Sequence, residues 1–119
     1  MNHEITLYGI ANCDTIRKAR NWLRDHDIDY RFHDYRKQGI DDDLLQSMAA
    51  QLGWEAMLNR RGTTWRALAD DEKSSVDEAS ALRLMRANPA LIKRPVLAYN
   101  GALHIAFSDR QYQEIFDPA

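Results

Sequence analysis

At 119 residues the chain is one domain on size grounds, with room for a real core. Its apolar and charged fractions are those of an ordinary globular protein, and a net charge of −2 excludes any global pull toward nucleic acid or an anionic membrane. A single cysteine excludes an intramolecular disulfide and fits a reducing compartment.

Met1-Asn2-His3-Glu4 has no basic region and no long apolar run follows, so neither a signal peptide nor a membrane span is expected, and the expected location is cytoplasmic. Glu4–Tyr8 is rich in β-formers and reads as a first strand ended by Gly9. Asn12, Asp14 and Thr15 are cap-type residues, and from Ile16 the apolar positions Ile16, Ala19, Trp22 and Leu23 follow helical spacing up to His26 or Asp27. Ile28–Tyr35 alternates and reads as a second strand, which makes a right-handed βαβ unit.

Gln38-Gly39 breaks that pattern. Asp41 is placed to cap a helix carrying Leu44, Leu45, Met48, Ala49 and Leu52, with Gly53 just past its end. Trp54–Leu58 reads as a further turn, Asn59–Thr64 as loop and Trp65–Leu68 as a short helix. After a polar stretch, Asp77 is placed to cap a helix carrying Ala81, Leu82, Leu84 and Met85, which Asn88-Pro89 stops. Pro95–Tyr99 and Leu103–Ala106 read as strands joined by Asn100-Gly101, a strong hairpin signal. Ser108, with Gln111 three later, has capping-box form and opens a last helix with Tyr112, Ile115 and Phe116 on one face.

The order β-α-β, several helices, then β-β-α implies an α/β thioredoxin-like fold with a four-stranded mixed sheet and an all-helical insertion. The expected limits are about 3–36 and 91–117 for the core and about 38–90 for the insertion, all within one domain. In such a fold the reactive group lies between the first strand and first helix, where Cys13 falls. A thiol there faces unpaired helix N–H groups that stabilise its anion, and its polar neighbours Asn12, Asp14 and Thr15 favour exposure. Asp14, as a nearby carboxylate, opposes that effect.

Cationic partners for a thiolate are available in Arg60-Arg61, within a Gly/Thr loop, and in Lys93-Arg94, just before Pro95. Other chemistries fit poorly. His3, His26, His33 and His104 are dispersed and form no metal-ligand spacing with Cys13, so no metal and no bound cofactor are expected. A phosphatase-type cradle would want Arg where Ala19 stands, and a CxxC pair would want Cys where Ile16 stands.

The run Leu7–Arg20 resembles the opening of the arsenate reductase (ArsC) and Spx family, and Ile92–Val96 resembles its second signature, an Arg-Pro before a strand. Arg61–Arg66 and Ala106–Asp109 are similar to its YffB-like subgroup. The resemblance implies a thioredoxin-like domain in which Cys13 is the nucleophile. It implies that Arg94 and Arg61, or Arg60 if the loop alignment shifts by one, are cations around it. Pro95 is then a cis-proline facing the cysteine, and Asn12 and Thr15 join the substrate- and glutathione-binding candidates.

Two departures matter. True arsenate reductases carry a third Arg after the last hairpin, whereas here Ile105–Asp109 contains none. Spx regulators use a CxxC switch, which Ile16 removes. The reading that results is a thiol reductase with glutathione as co-substrate, acting on a small thiol, disulfide or oxyanion. The alternatives are an arsenate reductase and an Spx-like regulator that binds a protein partner through the insertion. The absence of a basic stripe argues against direct nucleic-acid binding, and no membrane association is expected.

Overall fold

The structure, a computed structural model, describes residues 5–116. Met1–Glu4, read above as carrying no leader and as holding the first residue of the first strand, and the expected core limit at residue 117 lie outside the described residues. The elements are β1 (Thr6–Gly9), α1 (Asp14–Asp25), β2 (Arg31–Asp34), α2 (Tyr35–Gln38), α3 (Asp42–Leu52), α4 (Trp54–Met57), α5 (Thr63–Arg66), α6 (Asp70–Ser74), α7 (Glu78–Ala87), β3 (Val96–Tyr99), β4 (Ala102–Ile105) and α8 (Asp109–Phe116). A single 3₁₀ turn, Pro89–Leu91, follows α7. The chain divides into two compact units, residues 1–34 with 94–119 and residues 35–93.

The first unit is a four-stranded sheet in the order β2-β1-β3-β4. β1 and β2 are parallel, from Thr6 opposite Arg31 to Gly9 opposite Asp34, and α1 supplies the crossover that parallel pairing requires. β3 runs antiparallel to both β1 and β4. This is the thioredoxin-like arrangement. α1 buries Ile16, Ala19, Trp22 and Leu23, the positions its spacing marks out. Leu7, Ala19, Trp22, Leu23, Leu97 and Tyr112 form the core, and the Trp22 and Tyr112 rings meet edge-on at 5.5 Å. Asn100 and Gly101 have φ of 56° and 81°. Two left-handed residues make the turn whose twist matches a hairpin.

Several boundaries differ from the sequence reading. β2 is shorter than Ile28–Tyr35: the Ile28 N–H bonds back to the Leu23 carbonyl at 2.9 Å, closing the end of α1, and Tyr35 turns into α2. The Tyr35 ring is buried and its hydroxyl reaches the Met48 sulfur at 3.8 Å, so it belongs to the helical unit. The helix read at Trp65–Leu68 starts earlier, at Thr63. α6 falls in the stretch read as polar; it buries no side chain, which is why no apolar stripe marks it. Ser108 accepts from the Gln111 N–H at 3.0 Å, but the Gln111 side chain bonds the Ile105 carbonyl, so only half of the capping box forms.

In the helical unit, Asp41 caps α3 by accepting from the Leu44 N–H at 2.8 Å. α3 buries Leu45, Met48 and Ala49 and ends at Gly53, whose φ of 83° suits glycine and whose N–H meets the Ala49 carbonyl. Asp77 and Ser80 cap α7 reciprocally, and α7 packs on α3, α4 and the 3₁₀ turn. A bridge between Leu58 and Ile92 ties the segment after α4 to the segment after the 3₁₀ turn. No helix among the described residues is long and apolar enough to cross a membrane.

Candidate functional site

The site begins where β1 ends. A Cβ on Gly9 would collide with the side chain of Ile16, which is fully buried. Glycine therefore lets the strand end approach the first turn of α1, and this fixes the loop that carries Cys13. Cys13 itself is the N-cap of α1, extended at φ −144° and ψ 130°, and its carbonyl accepts the first helical bond from the Arg17 N–H at 3.0 Å. The thiol is half-buried and free.

Burial alone would push the Cys13 thiol up. The Ile16 N–H, Arg94 as hydrogen-bond donor and as cation, and the Thr15 N–H outweigh it, so the thiol lies below its ordinary value. Cys13 closes no capping hydrogen bond of strict geometry; the two N–H groups act as aimed dipoles at the sulfur. The Asp14 carboxylate, expected to oppose the anion, lies 3.1 Å from the Arg17 guanidinium.

Arg94 is positioned by the entry to β3. The Arg94–Pro95 bond is cis, and the Pro95 carbonyl accepts from the Ala106 N–H at 2.9 Å. The next residue, Val96, pairs with Tyr8 on one side and Ile105 on the other. β3 is thus registered against the strand that ends at the Cys13 loop, and Arg94 reaches the sulfur from there. The first unit brings Cys13, Thr15 and Arg94 together, while Asn12 is exposed in the loop.

Arg60 and Arg61 belong to the helical unit and are exposed. Arg60 lies over the Trp65 ring, 5.4 Å from its centroid. Arg61 is held by its backbone: its N–H donates to the Asn59 side chain, and its carbonyl accepts from Arg66 at 2.8 Å. Its guanidinium makes no ion pair among the described residues. No group of three His, Cys, Asp or Glu able to hold a metal occurs among them either.

Sequence reasoning missed Ile16 and Gly9. Every residue carries a backbone N–H, so nothing in the letter Ile advertises one aimed at sulfur; a Gly ending the strand before a helix was the available signal. Together these groups hold the Cys13 sulfur toward its anion, with the Arg94 guanidinium beside it.

Residues 8–115 match the model of the ArsC family. Among solved structures, the YffB protein is 47% identical, with a TM-score of 0.86 over 91% of this chain and 95% of its own. An arsenate reductase (ArsC) related protein from Brucella melitensis is 51% identical, with a TM-score of 0.79 over 96% and 95%. The global transcriptional regulator Spx of Streptococcus mutans is 30% identical over 108 residues, covering 88% of this chain and 77% of that protein.

Proposed function

The chain belongs to the ArsC family, and from that premise we propose that it is a glutathione-dependent thiol reductase working through Cys13 alone. The observation that carries the reading is the pairing of Cys13 with Arg94 at the start of α1, where a second cysteine is replaced by the buried Ile16. A lone thiolate can attack a disulfide but cannot resolve the product internally, so it needs an external thiol.

For a mixed disulfide between a substrate thiol and glutathione, the steps balance as follows. The Cys13 thiolate attacks the glutathionyl sulfur, the substrate's S–S bond breaks, and the substrate leaves as a thiolate that takes a proton from water. The thiolate of a second glutathione then attacks the glutathionyl sulfur on Cys13. This releases oxidised glutathione and restores the Cys13 thiolate. In sum one reduced glutathione is consumed for each substrate thiol released: the glutathionyl group of the mixed disulfide and the incoming glutathione leave together as oxidised glutathione. Arg94 favours the attacking thiolate in the first step and the departing thiolate in the second.

Reduction of a glutathionylated peptide by reduced glutathione, followed as formation of oxidised glutathione, tests the reading. Turnover should be saturable and vanish in Cys13→Ser; a wild-type protein that leaves the peptide glutathionylated overturns it. Arsenate reduction is less well supported, because Ala106-Phe107-Ser108-Asp109 after β4 offers no third Arg for an oxyanion.

A further inference from the structure

Cys13, Arg17, Arg20 and Arg24 are spaced i, i+4, i+7 and i+11, so they share one face of α1. The three arginines are exposed, and with Tyr30 they line a groove of about 640 Å³ that begins at Ala11 beside the Cys13 loop. Asp27 and Asp29 line its other end.

Arg20 is set up to receive an anion. Its Nε donates to the Tyr30 hydroxyl at 2.9 Å, and its guanidinium lies 4.4 Å from the Phe32 ring centroid. It makes no ion pair among the described residues, so a fixed cation is left with its terminal NH₂ groups directed elsewhere than to a carboxylate. A fork held in this way suits a carboxylate and loses little entropy on binding one. Arg17 is paired with Asp14 and Arg24, at 3.7 Å, with Asp25, but both pairs are highly exposed and readily exchanged.

Length decides the occupant. Arg17, Arg20 and Arg24 lie about 6, 10 and 16 Å along the helix axis from Cys13. An extended chain covers those spans in about two, three and five residues. Glutathione, with its sulfur on the middle residue, reaches about 5 Å on its glycyl side and about 8 Å through its longer γ-glutamyl link, and so stops well short of Arg24. We propose that the groove docks the polypeptide whose disulfide Cys13 reduces, through acidic residues two to five positions from its reactive cysteine. The inference rests on the thiol-reductase reading and adds its substrate class. Asp27 and Asp29 would repel acidic residues further along and so set the limit of the motif.

The test separates docking from chemistry. Two peptides carrying Ser in place of the reactive Cys, one with Asp and Glu at those positions and one with Asn and Gln, are titrated against the full chain by NMR. The acidic peptide should bind about tenfold tighter at low salt, shift the amides of residues 17–30, and lose its advantage in Arg20→Gln and Arg24→Gln. Arg110→Gln, on α8, should leave the preference intact. Equal binding of the two peptides, or a preference that survives in the double variant Arg20→Gln/Arg24→Gln, overturns the proposal. So does S-methylglutathione perturbing the Arg24 amide as strongly as the acidic peptide does. Glutathionylated Cys versions of the same peptides then report the chemistry: if the acidic one binds but is not reduced, the reductase reading fails while the docking surface stands.

Discussion

The reactivity of Cys13 is a balance between burial, which favours the thiol, and the Ile16 N–H, Arg94 and the Thr15 N–H, which favour the thiolate. Replacing Arg94 by Met removes a donor and a cation and leaves burial in place. The pH profile of Cys13 alkylation by iodoacetamide should then inflect at higher pH than in wild type. At a pH below both inflections the rate should fall by up to about tenfold for every pH unit by which the inflection rises. An unmoved inflection would mean that Arg94 does not act on the sulfur. Because the folded thiol lies below its unfolded value, the anion's contribution to stability is full above about pH 8.5 and is lost as pH falls through the folded pKa. Tyr112 poses the opposite case: its hydroxyl is buried with no hydrogen-bond partner among the described residues, and burial pushes its pKa far up. Tyr112→Phe should be neutral or stabilising by up to about 1 kcal/mol, whereas Tyr112→Ala should cost about 3–5 kcal/mol. A clear loss of stability in the Phe variant, read by urea unfolding, would show that the hydroxyl has a partner. Cys13 and Arg94 were legible as residues because thiol and guanidinium are rare, chemically specific groups. The N–H of Ile16 was not, because no side chain encodes it.

Among the elements, the β1–α1 junction depends on a missing atom. Gly9→Ala forces the Ile16 side chain to move and should cost about 1–3 kcal/mol as overpacking. The same substitution should raise the Cys13 pKa, since the Ile16 N–H is carried on the displaced turn. A Gly9→Ala protein with wild-type stability and alkylation profile would contradict this account of the loop. Helix caps offer a second check. Asp41→Ala should cost about 1 kcal/mol through loss of its bond to the Leu44 N–H. The Asp77 carboxyl is held below its ordinary value by the Ser80 N–H and hydroxyl, so the α7 cap holds at neutral pH and weakens as acid protonates it through that lowered pKa. Elements with a buried face, such as α1, α3 and α7, were legible from spacing. α6 was not, having no buried side chain, and β2 was overread because alternation already starts at Ile28, before the strand itself, and runs on into Tyr35, which packs in the helical unit.

At the scale of the molecule, the sheet order followed from element order: a βαβ unit and a ββα unit place β1 and β3 side by side at its centre. That adjacency brings residue 94 to residue 13 across some eighty positions of chain, which no local pattern displays. The groove along α1 was illegible for a related reason. Its arginines read as the solvent face of an amphipathic helix, and only the return of the chain through Tyr30 and Phe32 shows that one of them is fixed in place. The central claim, a single thiolate resolved by an outside thiol, is tested most directly by intact-protein mass spectrometry after exposure to oxidised glutathione at neutral pH. The account predicts one glutathionyl group on Cys13, removed by reduced glutathione and absent in Cys13→Ser. A wild-type protein that remains unmodified, or an adduct that reduced glutathione cannot remove, would contradict it.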